Sequence, residues 1–163
     1  MKEITGKIIK LGNNIDPDKL LQNGLPGDST SQEQRKPIVD ALSDGLPAKI
    51  QGGEVLVAGF LFGSGCSGAK VAAALKAAGI RGVIARSFGR DFFRQAINSG
   101  LPVVVANIVD MVNNGDPVTI DFEKGKITYG EKETKFPPYP EFVINILETG
   151  SLTAAVKKEL KKK

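Results

Sequence analysis

The chain has no histidine, no tryptophan and a single cysteine, Cys66, among its 163 residues. Without an imidazole there is no Ser-His or Cys-His pair, because nothing stands ready to take the proton from the nucleophile. The same shortage leaves the chain without the usual ligands for a zinc or iron site of its own, and one thiol cannot close an internal disulfide. Any metal has to come from elsewhere. Long apolar runs are missing as well. The longest, such as Leu-Pro-Val-Val-Val-Ala-Asn at 101–107, fall far short of the roughly 20 residues that a membrane-spanning helix requires. The opening Met-Lys-Glu-Ile-Thr-Gly-Lys lacks the apolar core and small-residue cleavage site of a signal peptide, which makes a cytoplasmic location the expectation.

Hydrophobic residues make up 41% of the chain and charged residues 25%, the composition of a soluble globular protein. The length suffices for one well-buried core, whereas two domains would each be marginal, so a single domain over residues 1–163 is expected. The net charge of +4 is mostly a tail, since Lys157, Lys158, Lys161, Lys162 and Lys163 fall in the last seven residues. Lysines suit the negative C-terminal end of a helix dipole. No basic stripe interleaved with aromatics is present, so neither nucleic acid nor a membrane is an expected partner.

Along the chain, residues 3–10 alternate well enough for a first strand, and Gly12-Asn-Asn-Ile-Asp-Pro-Asp18 follows as a turn-rich loop carrying Asp16 and Asp18, residue types that bond their own backbone in such turns. Residues 22–36 are mostly Gly, Pro, Ser, Asp, Gln and Thr with almost no apolar anchor, which predicts a mobile surface loop of the kind that often serves as a lid. Short apolar strands are read at 54–59, 82–86 and 102–106. Between them lie a helix over 71–78 closed by Gly79 and a second over 89–99 closed by Gly100, with Ser87 as its N-cap. Buried strands alternating with helices imply βαβ crossovers and a parallel sheet. Residues 117–122 and 126–129 alternate around Glu123-Lys-Gly125 as an antiparallel hairpin, and two helices end the chain, the second starting at Ser151. The fold class is therefore α/β, with a parallel βαβ core and an antiparallel hairpin.

The strand at 54–59 hands over to the first helix of the core through Phe62-Gly-Ser-Gly-Cys-Ser-Gly68. A Gly/Ser loop entering a helix N-terminus offers unpaired backbone N–H groups at the positive end of the helix dipole, which suits a carboxylate or phosphate. Glycines at 63, 65 and 68 permit close backbone approach, and Ser64 and Ser67 add hydroxyl donors. The loop has neither the Lys-Ser/Thr ending of a phosphate-binding P-loop nor the spacing of the dinucleotide fingerprint. On local pattern alone an anion site and a plain tight turn both stay open.

The same loop, continued through Leu75-Lys-Ala-Ala-Gly-Ile-Arg-Gly-Val-Ile-Ala-Arg-Ser-Phe-Gly-Arg-Asp-Phe-Phe-Arg-Gln-Ala-Ile-Asn-Ser-Gly-Leu-Pro102, resembles the small subunits of isopropylmalate isomerase and homoaconitase, whose counterpart in aconitase is the swivelling domain. Gly12-Asn-Asn-Ile-Asp-Pro-Asp18 and Glu148-Thr-Gly-Ser-Leu152 extend the likeness to nearly the whole chain, residues 22–48 matching poorly. The resemblance implies a swivelling β/β/α domain and one half of a hydro-lyase that removes water from a hydroxy acid. It implies a large subunit carrying a [4Fe-4S] cluster on its own cysteines as partner, and no cofactor in this chain.

The family's loop reads Phe-Gly-x-Gly-Ser-Ser-Arg-Glu, in which the first serine takes the substrate's α-proton and the arginine grips a carboxylate. Here those positions hold Cys66 and Gly68, with Ala69 after them. A thiol ionises more readily than a hydroxyl, the more so at a helix N-terminus, so the resemblance makes Cys66 the catalytic base. Gly68 offers no guanidinium fork. The substrate's carboxylate then falls to the backbone at Gly65 and Gly68 and to Ser64 and Ser67, or to Lys70 or the partner, with Asp18 on the family's active-site aspartate and Pro17 where it has threonine. Arg86, Arg90 and Arg94 fit either a substrate-binding face or structural ion pairs. Selectivity among hydroxy acids is expected to reside in residues 22–36. A non-catalytic relative that binds an anion or a partner and a free-standing thiol enzyme or redox sensor are the readings that compete, and for the isolated chain a homo-oligomer stays open.

Overall fold

A computed structural model describes residues 3–13, 53–63 and 68–161. Seven strands form one mixed sheet: β1 (Glu3–Lys10), β2 (Glu54–Ala58), β3 (Gly82–Ala85), β4 (Val103–Val105), β5 (Pro117–Asp121), β6 (Lys126–Tyr129) and β7 (Lys132–Lys135). Their order in space is β4-β3-β2-β1-β5-β6-β7. The first four run parallel, with Ile8 opposite Val55, Leu56 opposite Val83 and Ile84 opposite Val104. On its other side β1 meets β5 antiparallel, Thr5 facing Thr119, and β5, β6 and β7 continue as an antiparallel meander. The α/β class and the parallel core expected from the sequence are both present.

Helix α1 (Gly68–Ala77) connects β2 to β3 and α2 (Arg90–Asn98) connects β3 to β4, while α3 (Glu141–Thr149) and α4 (Leu152–Lys161) end the described chain. Side chains alternate across the sheet, so the parallel strands feed two cores. One face packs Leu56, Ala58, Val83 and Val103 against Val71 and Leu75 of α1 and Phe92 and Ala96 of α2. The other gathers Ile4, Ile8, Val55, Val57, Ile84 and Val104 with Val118, Ile120, Ile127 and Ile144. Because both faces are covered, β2 and β3 are buried at every residue, which is why, Glu54 at the start of β2 apart, they read as apolar runs.

Three expectations need correction. Ser87 is not the cap of α2: Gly89 occupies that place with no side-chain cap, and Ser87 is committed to the neighbouring turn. α1 begins at Gly68 rather than Val71, so the glycine-rich loop runs straight into it. The hairpin gains a third strand, β7, whose Lys-Glu-Thr-Lys sequence is largely exposed and gives no alternating apolar signal. The helix predicted from Ser151 is present, its first turn capped by the Ser151 hydroxyl, which accepts from Ala154 N at 3.0 Å.

Candidate active site at the carboxyl edge of the parallel strands

In a parallel sheet the loops that can meet a ligand leave the carboxyl ends of the strands. Here the segments leaving β1 and β2 are fastened together. Gly59 N donates to Gly12 O at 3.0 Å, and Phe60 N donates to Asn13 Oδ1 at 2.8 Å. Gly12 and Asn13 open the stretch that leads to Asp18; Gly59 and Phe60 open the one that leads to Cys66. The roots of the two predicted functional loops thus share one hydrogen-bonded junction. Asp18, Ser64, Gly65, Cys66 and Ser67 lie outside the described residues, as do Asp16 and residues 22–36. Gly68 is described, as the first residue of α1.

The second clamp comes from the end of β3. Leu61 N donates to Ser87 Oγ at 2.8 Å, Phe62 N to Ser87 O at 3.1 Å, and Gly89 N to Phe62 O at 2.9 Å. Three consecutive N–H groups, from Phe60 to Phe62, are therefore bound by side chains or backbone from two other elements. Leu61 is held at φ +58°, alone among the described non-glycine residues in having a positive φ, a conformation that bulky side chains rarely adopt. Gly63 follows at φ +79°, and a Cβ there would sit 2.6 Å from Phe92 Cγ. Phe92 cannot yield, because it is fully buried and packed edge-on to Phe62 with ring centroids 5.3 Å apart. Glycine is required at 63 by both its torsion and its neighbour.

Arg86 joins this edge to the chain beyond β4. Its guanidinium pairs with Asp110, donates from Nε to Asn107 Oδ1 at 2.5 Å, and lies 5.1 Å from the centroid of the Phe60 ring, within cation–π range. Of the two readings offered for this arginine, the structural ion pair is the one seen. Arg94 lies 3.9 Å from Asp91 on an exposed helix face, a surface pairing of small energetic weight. At the other end of α1, the Lys76 ammonium donates to Ser99 O at 3.2 Å and to Gly150 O at 2.7 Å, the carbonyls that end α2 and α3. Burial draws the Lys76 pKa below the ordinary lysine value.

Sequence reasoning missed Asn13 and Ser87 as organisers of this edge. Asn13 stands inside the Gly12–Asp18 stretch already singled out, but nothing in the sequence says that its amide reaches Phe60. Ser87 carried a competing signal, a serine just before a helix, and helix capping was the simpler inference.

The donor set does not fit an iron–sulfur cluster held by this chain alone: one cysteine and no histidine are available, and no group of three His, Cys, Asp or Glu side chains with metal-binding geometry occurs among the described residues.

The aconitase C-terminal domain family matches residues 1–107, which ends just past β4 and so takes in the parallel half with its loops. Full-length relatives extend the match to the antiparallel strands and terminal helices. The 3-isopropylmalate dehydratase small subunit of Nautilia profundicola is 38% identical over 99% of this chain and 98% of its own length. That of Caldicellulosiruptor bescii is 42% identical over 96% of each. The chain belongs to the 3-isopropylmalate dehydratase small-subunit family. A crystal structure of 3-isopropylmalate dehydratase from Methanocaldococcus jannaschii superimposes with a TM-score of 0.81 at 33% identity, covering 99% of both chains. Membership in this small-subunit family bears out the resemblance drawn from the glycine-rich junction and the fold it implied.

Proposed function

We propose that this chain is the small subunit of an aconitase-type hydro-lyase that, with a large subunit, removes water from a hydroxy acid of the 3-isopropylmalate kind and returns it in the other orientation, a step in leucine biosynthesis. The observation that carries the reading is the junction in which Phe60 N meets Asn13 Oδ1. It brings the root of the Cys66 loop to the root of the Asp18 loop at the carboxyl edge of the parallel strands, in a chain whose relatives are dehydratase small subunits along their full length.

In this reading Cys66 is the base. Dehydration takes a proton from the carbon beside a carboxylate and hydroxide from the adjacent carbon, leaving a carbon–carbon double bond; the carbon's proton stays on the base, and the hydroxide leaves as water with a second proton drawn from solvent. The Cys66 thiolate accepts that proton at Sγ and returns it on hydration, with Asp18 beside the substrate. Ser64, Gly65, Ser67 and Gly68 hold a carboxylate through hydroxyl and backbone donors at the N-terminus of α1, in a loop that lacks an arginine. Residues 22–36 distinguish one hydroxy acid from another. The [4Fe-4S] cluster is assigned to the large subunit, since this chain's donors cannot hold it, and the assembled enzyme works in the cytoplasm.

The test is dehydration by this chain mixed with a cluster-loaded large subunit, followed through the absorbance of the unsaturated product across a panel of hydroxy acids. Cys66→Ala is expected to lower kcat by about 100-fold or more while leaving the complex intact, the scale of loss for a removed general base, and Cys66→Ser to recover part of it. A stable complex that turns over no acid, or a Cys66→Ala enzyme at full rate, overturns the proposal.

A further inference from the structure

Helices α3 and α4 are joined by a tight turn at Gly150. Glu141 and Phe142, at the start of α3, line one groove together with Glu159, near the end of α4, so the two helices form an antiparallel hairpin. The groove holds about 710 Å³, and Glu123 and Glu148 add to its acidic lining. The inner side of the hairpin is taken up by the core, where Ile144, Ile146, Leu147 and Ala155 are buried. Its outer side is bare. Phe142 is 65% exposed, Val156 48% and Leu160 67%, and every residue from Val156 to Lys161 is exposed. Val156 and Leu160, four apart, share one face of α4. A helix this short has little stability in water unless an apolar face is packed, so the bare end of α4 has the character of a surface that is covered by another molecule.

Charge identifies the occupant. Lys157 and Lys161 stand about 160° around α4 from Glu159, so they face away from the groove that their own helix borders. The same helix of a second copy can place them there. A patch with an acidic groove on one side and lysines on the other is self-complementary, as a two-fold contact between identical chains requires. We infer that the α3–α4 hairpin is the interface of a two-fold homodimer. Phe142, Val156 and Leu160 form its apolar centre, and Lys157 and Lys161 of each copy meet Glu141 and Glu159 in the groove of the other. The position in the fold suits such pairing. β5 ends at Asp121, opposite Glu3 at the start of β1, and Glu123 of the groove comes two residues later. The groove therefore lies at the amino edge of the parallel strands, and pairing there leaves the carboxyl edge, with its candidate site, open.

Sedimentation equilibrium of the purified chain is expected to give a mass that rises with concentration to that of two chains. Two charge-reversed variants then test the surface, one carrying Lys157→Glu and Lys161→Glu, the other Glu141→Lys and Glu159→Lys. Each alone sets like charges against each other across the two-fold axis and should weaken the dimer Kd by about 10-fold or more. An equimolar mixture makes both contacts attractive again and should restore pairing. Phe142→Ser with Leu160→Ser should also dissociate the dimer, while its far-UV circular dichroism matches wild type, because neither side chain packs in the core. A wild-type chain that stays monomeric at every concentration overturns the inference. So does a dimer that neither reversal weakens, or a mixture that fails to pair. A monomeric chain whose binding to a large subunit is weakened by Phe142→Ser with Leu160→Ser also overturns it, and gives the face to that subunit.

Discussion

The two halves of the sheet solve different problems with similar means. On the parallel side every residue of β2 and β3 is buried, and the chain leaving those strands is held by Asn13, Ser87 and close packing against Phe92. On the antiparallel side β5 and β6 bury alternate residues, β7 is mostly exposed, and of the two turns the one at Gly125 packs against Phe136 while the one at Gly130 stands in open space. Gly130, at φ +63°, would meet nothing within 4 Å if it carried a Cβ, whereas Gly63, at φ +79°, would meet Phe92 at 2.6 Å. Positive torsions occur in both halves. The wall differs in kind: at Gly125 on the antiparallel side a Cβ would strike a backbone carbonyl, that of Phe136, whereas at Gly63 it would strike the buried Phe92 side chain, on the side from which the loops of the candidate site emerge.

The sharpest way to test this difference is a matched pair of substitutions. Gly63→Ala is expected to lower stability by about 3 kcal/mol or more, strain and overpacking combined, and Gly130→Ala by about 1 kcal/mol from torsion alone; urea midpoints of the two variants measure the gap. Equal losses would erase the contrast. Next in size is Lys76→Met, which removes the donor shared by the C-terminal carbonyls of α2 and α3 and should cost about 1–2 kcal/mol, read as a lower thermal midpoint. Smallest is Tyr139→Phe on the antiparallel side. The Tyr139 hydroxyl is buried without a partner among the described residues, its ring stacked on Phe122 at 5.5 Å, so the variant should gain up to about 1 kcal/mol.

Tyr139 also gives a pH signature. Burial raises its pKa above the ordinary 10.0, so above about pH 10 the unfolded chain loses a proton that the folded chain keeps. Stability from this group is complete below that pH and declines as pH rises through the folded value. The advantage of Tyr139→Phe over wild type should therefore widen between pH 9 and about pH 11 in thermal melts. A constant difference would place the hydroxyl in contact with water.

Much of this architecture was legible because burial on both faces writes itself into the sequence: Val-Leu-Val-Ala at 55–58 and Gly-Val-Ile-Ala at 82–85 have no polar face to show. The alternation of β5 and β6 was equally plain. β7 was not, since an edge strand with a solvated face carries lysine and glutamate where a buried one carries valine. Nor does any local pattern tell that β1 pairs with β5 across more than a hundred residues. At the candidate site the glycine-rich loop stood out by composition, while Ser87 and Asn13 act through contacts between segments distant in sequence. Cys66, Ser64, Gly65, Ser67 and Asp18 rest on the family likeness and await the kinetic test.

β1 bonds to both halves at once, parallel to β2 through residues 7–10 and antiparallel to β5 through residues 3–7. On the ribosome this strand emerges before either partner, so one of its edges waits for residue 54 and the other for residue 117. Contacts so distant in sequence slow folding, because a long loop must close before the pairing gains anything. Through most of synthesis the nascent chain therefore carries a strand with an open edge, which is a template for wrong pairing between chains. Lys7 and Lys10, set among Ile4, Ile8 and Ile9, put on that strand the charge that disfavours pairing between chains while an edge is open.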